Sequence, residues 1–397
     1  MSAVSHRVDV AVVGAGLVGL SAALACHQAG YTVALVDAGP ALTTASADAS
    51  LQWDARIYAI SPSNAQWLAK LGVWPLLDKA RIGQINSMQL FADAVPLNMT
   101  PDEAAGPMAY VVEAGQLLQA LYKAIQATGM PLLFDSPCAA VNSSSNITHL
   151  CLVDKRIIES RLLVAADGSQ SWLRQQLQIS VQEKSYEQRA IVANFSVEKP
   201  HADIARQWFA SEPTLGSYIL AWLPLPNNTL SIVWSVPLAH AEQLLNLSAA
   251  EFSLAVVQAG GHALGEMHLL SAPKAFPLRL QLSEKTVQDG VVFVGDAAHQ
   301  IHPMAGQGVN LGFRDVIDLM QSLQEKNAYQ GLADSGLLKA YTRRRKVDVL
   351  SMRVITDGLF QVFASKYAVI KGIRSAAWSA ANASLIKKTL LAFALKI

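Results

Sequence analysis

Residues 8–37 read VDVAVVGAGLVGLSAALACHQAGYTVALVD, and this stretch decides the fold of the chain. Its pattern predicts an apolar strand over residues 8–13, an alanine-rich helix that ends near Gly30, and a second strand over residues 32–36. A strand, a helix and a second strand form the βαβ unit on which doubly wound α/β folds are built. The stretch therefore predicts an α/β fold.

The turn between the first strand and the helix carries three glycines in the G-x-G-x-x-G spacing. Gly14 permits the tight turn, Gly16 lets the backbone approach a pyrophosphate, and Gly19 allows the helix to pack closely on the strand. Asp37, at the end of the second strand, can accept hydrogen bonds from the ribose hydroxyls of an adenosine. Val18, inside the same turn, is expected to contact the nucleotide. The pattern predicts a dinucleotide but does not separate FAD from NAD.

A second glycine-rich stretch, residues 295–315, reads GDAAHQIHPMAGQGVNLGFRD. It follows an apolar run over residues 291–294 that is typical of a buried strand. Asp296 comes just past the strand end, where it can accept a hydrogen bond from a sugar hydroxyl. Gly306 and Gly308 leave the backbone free to lie flat against a planar ligand.

A helix is predicted over residues 309–323, directly after these glycines. The first N–H groups of a helix attract anionic or electron-rich groups, so Val309 and Asn310 are predicted to face the ligand. A sugar anchor, a flat backbone platform and a helix start together suit a flavin nucleotide, whose reduced ring carries negative charge.

The two stretches resemble the FAD signatures of the aromatic-ring flavin hydroxylases, the para-hydroxybenzoate hydroxylase superfamily. Residues 54–61, DARIYAIS, resemble the DARxxAIS segment of the ubiquinone-biosynthesis hydroxylases, a branch of that superfamily. The resemblance implies that Arg56 contacts the flavin or its phosphates. Without the resemblance, a surface salt bridge is the favoured interpretation of Arg56.

Two further segments match the superfamily. Residues 110–113, YVVE, are usually followed by Asn in the family, but Ala114 stands there, so a side-chain contact to the cofactor is either missing or supplied by Gln116. Residues 167–174, DGSQSWLR, resemble the DG motif, which implies that Asp167 lies near the pyrophosphate and takes part in pyridine-nucleotide binding. Capping of the following helix explains the same residues without a ligand.

Short alternating strands are predicted between residues 188 and 236, with a hairpin turn at Asn227-Asn228, so an antiparallel sheet lies between the flavin motifs. The resemblance implies that this sheet covers the substrate pocket. The predicted fold is α/β, with a Rossmann-like FAD-binding domain, an inserted antiparallel-sheet substrate domain and a C-terminal helical region. The predicted boundaries are 1–75, 100–180 and 280–330 for the FAD-binding domain, 76–99 and 181–279 for the substrate domain, and 331–397 for the helical region. Five aromatic residues of the sheet are expected to lie mostly in the core, with one or two facing the substrate: Trp208, Phe209, Tyr218, Trp222 and Trp234.

The resemblance covers nearly the whole chain and implies an FAD-dependent monooxygenase that hydroxylates a polyprenylated phenol in ubiquinone biosynthesis. The implied co-substrates are NADPH or NADH and O₂, and the implied hydroxylating species is a flavin C4a-hydroperoxide. His302 and Pro303 are the predicted catalytic residues, because the family's equivalent loop borders the isoalloxazine; a structural role for His302 is the alternative. Two other functions stay open. One is another flavoenzyme of the superfamily, such as a soluble-phenol hydroxylase or an isoprenoid reductase; the other is a non-catalytic flavin-binding subunit of a quinone-synthesis complex.

The composition argues against several other classes of protein. Hydrophobic residues make up 52% of the 397 residues and charged residues 15%, below the roughly 25% that is usual. Glycines and His27 interrupt the longest apolar stretch, so no membrane span is predicted, and no signal peptide is recognised. The three cysteines lack metal-ligand spacing, and His299 and His302 have no third ligand nearby. No metal site is therefore predicted, and a reduced cytoplasmic compartment is expected.

Residues 343–397 carry eleven Lys or Arg and two Asp or Glu, although the net charge of the whole chain is only +1. A basic segment on an acidic body predicts an anionic partner; nucleic acid is not predicted, because no nucleic-acid motif accompanies the charge. Ile386, Leu390, Phe393 and Ile397 recur on one stripe of a helix. A basic amphipathic helix suits an anionic membrane, such as the inner face of the plasma membrane. Packing on the body, on another subunit or on a quinone-biosynthesis complex is the alternative.

We predict that deleting residues 384–397 weakens co-sedimentation with anionic vesicles, because each basic residue near an anionic leaflet contributes about 1 kcal/mol. High salt should release the full-length protein, and vesicles of neutral lipid serve as the control. A folded, FAD-loaded truncation that sediments as well as the full chain would show that these residues do not bind membrane.

Overall fold

The computed structural model describes residues 4–42, 53–92, 96–101, 106–143, 147–212, 216–301 and 307–364. His302, Pro303, Gly306 and the amphipathic tail over residues 384–397 lie outside these ranges. Within the described ranges, no helix combines the length and the apolar character needed to cross a bilayer.

The first sheet contains the predicted βαβ unit. Its strands are β1 (Val4–Val13), β2 (Val33–Val36), β8 (Leu132–Leu133), β9 (Cys138–Ser143), β10 (Thr148–Leu152), β11 (Ile157–Ala165), β18 (Val287–Gln288) and β19 (Val291–Phe293). Their order is β18-β19-β11-β1-β2-β8, and β10 and β9 continue from β11. Strand β1 pairs in parallel with both β2 and β11, and β19 pairs in parallel with β11. The carboxyl ends of β1, β11 and β19 therefore meet at one edge of the sheet, where both glycine-rich stretches begin.

The second sheet is mostly antiparallel, as predicted. Its strands are β5 (Ser87–Phe91), β6 (Leu97–Met99), β12 (Val181–Val197), β13 (Ile204–Glu212), β14 (Gly216–Leu225), β15 (Thr229–Pro237), β16 (Met267–Leu269), β17 (Lys274–Ser283) and β20 (His299–Gln300). Their order is β20-β17-β12-β15-β14-β13-β5-β6, with β16 beside β12. Asn227 and Asn228 join β14 to β15 with φ of 59° and 51°. Two positive φ values are typical of the type I′ hairpin turn. A third sheet pairs β3 (Ile57–Ile60) and β4 (Gly83–Ile85) with β7 (Ala109–Glu113).

Eight α-helices occur in the described residues: α1 (Leu17–Gln28), α2 (Pro62–Lys70), α3 (Ala114–Gln126), α4 (Trp172–Gln176), α5 (Leu238–Leu245), α6 (Ala249–Ala259), α7 (Gln307–Gln324) and α8 (Ser335–Ala364). Apolar residues of α1, α3 and α7 pack into one buried cluster with β1 and β2. A separate cluster lies between α5 and α6 and the second sheet. The predicted α/β fold with a Rossmann-like unit, an antiparallel sheet and C-terminal helices is confirmed.

A buried ion-pair network joins α7 to α8. The Asp315 side chain is fully buried, and its Oδ1 accepts a hydrogen bond of 2.6 Å from Arg345 Nε. Arg345 Nη1 also donates to Asp318 at 2.8 Å and to Asp348 at 2.7 Å. Burial acts to raise the pKa of the Asp315 carboxyl, but His299 and Arg345 hold that pKa below its usual value. The network therefore keeps a charged carboxylate inside the protein.

We predict that Arg345→Met lowers the free energy of unfolding by about 3–5 kcal/mol, because removing one partner leaves a buried charge uncompensated. Arg344→Met is the matched control. Arg344 pairs with Glu325 at the surface, and surface ion pairs contribute little. Urea unfolding of both variants measures the difference, and equal effects would contradict the assignment.

The ion pair of Asp315 and Arg345 makes the stability of the protein depend on pH. Because the folded-state pKa of Asp315 is lowered, its charge stabilises the folded state at pH values above the ordinary pKa of about 4. This stabilisation is lost as the pH falls through the lowered pKa.

Candidate active site

A cavity of about 710 Å³ lies between the glycine-rich loops of the first sheet and one face of the second sheet. Its loop-side wall contains Gly16, Val18, Arg56, Tyr58, Gly115, Gly168, Asp296, Gly308 and Val309. Its sheet-side wall contains Ala190, Val192, Gln207, Ile219, Ala221, Leu223, Ser231, Val233, Ser235, Phe276 and Leu278. A cavity of this size and mixed character is typical of a small-molecule site.

The first glycine-rich turn is held tightly where it meets the sheet and is open where it meets the cavity. Gly14 has a φ of 108°, a conformation that favours glycine, and a Cβ there would collide with the carbonyl group of Ala166. A Cβ at Gly19 would collide with the carbonyl oxygen of Gly14. By contrast, a Cβ at Gly16 would meet no atom within 4 Å. The open space at Gly16 is where the sequence places the approaching pyrophosphate.

Asp37 holds this turn through its carboxylate. Its Oδ2 accepts a hydrogen bond of 2.5 Å from the Ala15 N–H, and its Oδ1 accepts one of 2.7 Å from the Gly39 N–H. The side chain remains partly exposed but is not part of the cavity wall. The predicted contact with an adenosine ribose is therefore compatible with the position of Asp37 and stays a prediction.

The second glycine-rich stretch starts as a short 3₁₀ helix, Gly295–Ala297. Asp315 Oδ2 accepts a hydrogen bond of 2.7 Å from the Gly295 N–H, so the buried network fixes this turn. The Val18 side chain packs against Gly295 and Gly312, in space that a larger residue at either glycine would fill. Asp296 follows at the cavity wall, between the two nucleotide-type loops.

The Asp296 side chain is open to the solvent in the cavity, although protein surrounds it on most sides. Desolvation raises the pKa of this carboxyl, while the neighbouring His299 and Arg56 oppose the rise. A hydrogen-bond acceptor is thus held at the cavity wall, near the Tyr58 hydroxyl, whose pKa the charge of Asp296 helps to raise.

Arg56 is an exposed residue of the same wall, close to Asp296. Its guanidinium carbon lies 4.9 Å from the centre of the Phe276 ring, within the range of a cation–π contact. Burial raises the pKa of the nearby Tyr58, and Arg56 acts in the opposite direction. No carboxylate of the described residues forms a salt bridge with Arg56, and its contact with the flavin or its phosphates stays a prediction.

The DARIYAIS and YVVE segments are bonded to each other. Strand β3 pairs with β7, and Asp54 Oδ2 accepts a hydrogen bond of 2.9 Å from the Gly115 N–H. Glu113 accepts from Arg81 and from the Asp54 N–H, each at 2.7 Å. Gln116, on the first turn of α3, has a buried carboxamide without a hydrogen-bond partner among the described residues. That group is not part of the cavity wall, so its predicted cofactor contact stays a prediction.

Hydrogen bonds also fix the loop that contains Asp167. Asp167 Oδ2 accepts a hydrogen bond of 3.0 Å from the Leu173 N–H, which is the capping role weighed in the sequence. Burial raises the pKa of Asp167. Arg174 Nη1 donates to the Ala297 carbonyl at 3.0 Å and therefore ties this loop to the Gly295–Ala297 turn. Gly168, but not Asp167, reaches the cavity wall.

The first residues of α7, which were predicted to face the ligand, differ in their access to the cavity. Gly308 and Val309 line the cavity. Asn310 is fully buried, and its Oδ1 accepts from the Ser61 N–H at 3.0 Å and from Asn64 at 2.8 Å. Asn310 thus joins α7 to α2, whereas Gly308 and Val309 remain available to a ligand.

The expectation that most of the five aromatic residues lie in the core is confirmed, because Phe209, Tyr218, Trp222 and Trp234 are buried. None of the five named aromatic residues lines the cavity. Trp222 and Trp234 are buried on the other face of the sheet, in the cluster with Phe252. Phe209 packs on Ile219, which lines the cavity, but does not itself line it. The one aromatic residue of this wall is Phe276, which no local sequence signal singled out.

The cavity thus brings together six of the predicted site residues, which are Gly16, Val18, Arg56, Asp296, Gly308 and Val309. Five others support the loops or stand beside them, namely Gly14, Gly19, Asp37, Asp167 and Asn310. Arg174 and Gln207 were missed. Arg174 lies inside the quoted DGSQSWLR motif, so its role in holding this loop could have been inferred from the sequence. The residues around Gln207 in the sequence give no indication that it lines a cavity.

Comparison with known proteins agrees with this geometry. The family described as FAD binding domain matches residues 7–352. The 3-demethoxyubiquinol 3-hydroxylase of Escherichia coli (strain K12) is 32% identical, covering 98% of each chain. The mitochondrial ubiquinone biosynthesis monooxygenase COQ6 of Homo sapiens is 30% identical, covering 98% of this chain and 92% of its own. The chain belongs to the ubiquinone-biosynthesis branch of the FAD binding domain family. It is an FAD-dependent monooxygenase.

Solved structures share the fold of this flavin monooxygenase. The p-nitrophenol 4-monooxygenase PnpA of Pseudomonas putida DLL-E4 superposes with a TM-score of 0.75 over 98% of both chains, at 15% identity. PqsL of P. aeruginosa in complex with 2-aminobenzoylacetate superposes with a TM-score of 0.73 over 88% of this chain and 94% of its own, at 21% identity. At these identities the likeness concerns the fold alone.

The residues of the monooxygenase fit an FAD. The open space at Gly16 accommodates a close backbone approach to a pyrophosphate. The acceptor of Asp296, at the cavity wall, suits a sugar hydroxyl of the cofactor. When bound, FAD supplies the redox and oxygen-activating chemistry, which no protein side chain provides.

We predict opposite outcomes for two glycines of the same turn. Gly16→Ala should leave the stability of the apoprotein unchanged and weaken FAD binding by about tenfold or more, which is about 1.4 kcal/mol, because its Cβ enters the open space. Gly19→Ala should destabilise the apoprotein by about 1–3 kcal/mol, because its Cβ meets the backbone of Gly14.

Flavin fluorescence titration and thermal unfolding of the apoproteins separate the two effects. Normal FAD affinity in a folded Gly16→Ala protein would contradict the placement of the pyrophosphate.

Proposed function

We propose that this protein hydroxylates the aromatic ring of a polyprenylated phenol in ubiquinone biosynthesis, with NADPH or NADH as the reductant. One oxygen atom of O₂ enters the ring, the other leaves as water, and the nicotinamide supplies two electrons. The proposal rests on the cavity of about 710 Å³, which has nucleotide-type loops on one side and a largely apolar sheet on the other. Relatives named as ubiquinone hydroxylases support the substrate class.

The sheet-side wall matches the chemistry of such a substrate. Ala221, Leu223 and Val233 present small or aliphatic side chains to the cavity, so a ring with an apolar chain can lie against them without losing hydrogen bonds. The same surface keeps water away from the reacting face. Exclusion of water matters because it suppresses side reactions of reactive intermediates.

The loop-side residues take the roles of holding and orienting the cofactor. Asp296 accepts a hydrogen bond from a ribityl hydroxyl, and Arg56 lies where it neutralises phosphate or flavin charge. Gly308 and Val309 offer the start of α7 to the electron-rich edge of the ring. The proposed roles of His302 and Pro303 at the reactive face rest on the resemblance of their loop to the family's flavin-bordering segment.

The surroundings of the enzyme follow from the same substrate. A polyprenylated phenol resides in a membrane, so we propose a cytoplasmic protein that reaches an anionic membrane surface or a quinone-biosynthesis complex through its basic C-terminal residues. Self-association is compatible with this arrangement. The vesicle experiment on residues 384–397 addresses the membrane contact.

Turnover in ¹⁸O₂ tests the proposal directly. The FAD-loaded protein is incubated with NADPH or NADH and a phenol that carries a short prenyl chain. The masses of the products are then measured by mass spectrometry. We expect one ¹⁸O atom in each product molecule and nearly one nicotinamide oxidised per product. The apoprotein is the control.

Each alternative function gives a different result in this experiment. A product that gains two hydrogens and no ¹⁸O indicates an isoprenoid reductase. Equal rates with the unprenylated phenol indicate a soluble-phenol hydroxylase. FAD-loaded protein that oxidises no nicotinamide in the presence of phenols indicates a non-catalytic subunit. Any of these three results would overturn the proposal.

A further inference from the structure

Gln207 places a polar side chain in the largely apolar sheet-side wall of the cavity. Gln207, on β13, is only 6% exposed and lines the cavity. Among the residues that the structure describes, none forms a hydrogen bond with its carboxamide. A carboxamide in an apolar wall is favourable only where its donor and acceptor groups find hydrogen-bond partners. The group is therefore placed where something other than the protein can satisfy it.

The surroundings of Gln207 are apolar in both directions along its strand. Side chains two residues apart share a face of a strand, so Ala205 and Phe209 flank Gln207. Ala205 belongs to a buried cluster with Leu223, and Phe209 packs on Ile219. Packing alone would favour an aliphatic residue at this position.

Two hydroxyl groups face Gln207 across the same wall. Ser231 and Ser235, on β15, are 1% and 3% exposed and line the cavity. Among the described residues, neither hydroxyl has a hydrogen-bond partner. Gln207 pairs with Ala221 and Ala221 with Val233, which lies between the two serines. Because neighbouring strands are about 4.8 Å apart, the polar groups are separated by about 10 Å across the sheet, with Ala221 and Val233 between them.

We propose that Gln207 is a specificity-determining residue that binds the ring hydroxyl of the aromatic substrate, with Ser231 and Ser235 near the opposite edge of the ring. This inference rests on the proposed function. A carboxamide both donates and accepts hydrogen bonds, as a phenol hydroxyl does. The carboxamide can therefore donate a hydrogen bond to the hydroxyl oxygen or accept one from the hydroxyl group. Ala221 and Val233 form the flat apolar floor beneath the ring.

The geometry sets the orientation of the substrate. With its hydroxyl on the sheet-side wall at Gln207, the ring is held by its edge, and its face remains free for the loop-side wall that carries Asp296 and Val309. A substrate without the hydroxyl leaves the carboxamide unpaired, and sites built this way discriminate strongly against such analogues.

The test compares Gln207→Met with Gln281→Met in the FAD-loaded protein. Gln281 is a buried glutamine of the same sheet, at 9% exposure, but its Nε2 donates to Glu183 at 2.8 Å and it does not line the cavity. We expect Gln207→Met to raise KM for the prenylated phenol about threefold to tenfold, because one neutral hydrogen bond contributes on the order of 1 kcal/mol and 1.4 kcal/mol is a factor of ten. Its FAD content should equal that of the wild type, and its melting temperature should be unchanged or higher.

The control variant should behave in the opposite way, with a lower melting temperature and an unchanged KM. A second arm measures inhibition by the prenylated phenol and by the prenylated benzene that lacks the hydroxyl. Only the phenol should lose affinity in Gln207→Met, and Ser231→Ala should leave the difference between the two ligands intact.

The outcomes separate this inference from the proposed function. Wild-type protein that hydroxylates no phenol removes the basis of both. A wild type that hydroxylates the phenol, together with an unchanged KM in Gln207→Met, overturns the role of Gln207 alone. Equal loss of affinity for both ligands, or a lower melting temperature in Gln207→Met, also overturns it, because either result indicates a packing role.

Discussion

The carboxylate of Asp315 is the constraint on which the site depends. It is fully buried, and its two oxygens bind Arg345 Nε at 2.6 Å and the Gly295 N–H at 2.7 Å. His299 Nε2 lies 2.7 Å from the same carboxylate, although without the alignment of a regular hydrogen bond. One side chain therefore fixes the turn before Asp296 and the long C-terminal helix together. Loss of the pair would displace the loop side of the cavity, because no other side chain of the described residues holds the Gly295 N–H.

The second sheet uses its two faces for different purposes. Side chains alternate between faces along a strand, so Trp222 and Trp234 fall on the face that packs against α5 and α6, while Ala221 and Val233 fall on the cavity face. Large residues stabilise the outer layer, where they bury apolar area. Small residues leave space on the inner face. The volume of the cavity follows from this division within single strands.

The parts of the fold that follow from local chemistry could be predicted from the sequence. The turn at Gly14 requires a positive φ, and the close approach of the helix to this turn requires a glycine at position 19. Both requirements are visible in the local sequence as glycines at a fixed spacing. The hairpin turn at Asn227 and Asn228 also requires positive φ values, which two adjacent asparagines indicate in the sequence. Helix limits were predicted to within a few residues, as for α7, because apolar periodicity and helix stops are local as well.

The composition of the cavity wall could not be predicted in the same way. Whether Trp222 or Ala221 faces the cavity depends on which sheet face the helices cover, and a shift of one residue exchanges the two. Phe276 reaches Arg56 across 220 positions of the chain, and Arg345 reaches Asp315 across 30. Such pairings are set by the register of distant strands and helices, which leaves no mark in the neighbouring sequence. The roles of the predicted cofactor residues remain predictions for the same reason, since contact with a ligand is a further long-range relation.

An unpaired buried polar group points to a ligand only where a ligand can reach it. The indole N–H groups of Trp222 and Trp234 have no partner among the described residues, but both rings are sealed in the outer layer of the sheet, and nothing in the structure explains their lack of a partner. Gln207 is also largely buried, at 6% exposure, yet it lines the cavity. The cost of leaving it unpaired can therefore be recovered on binding, whereas the cost at the indoles is permanent. This difference is why the wall of the cavity carries information about the substrate and the core of the same sheet does not.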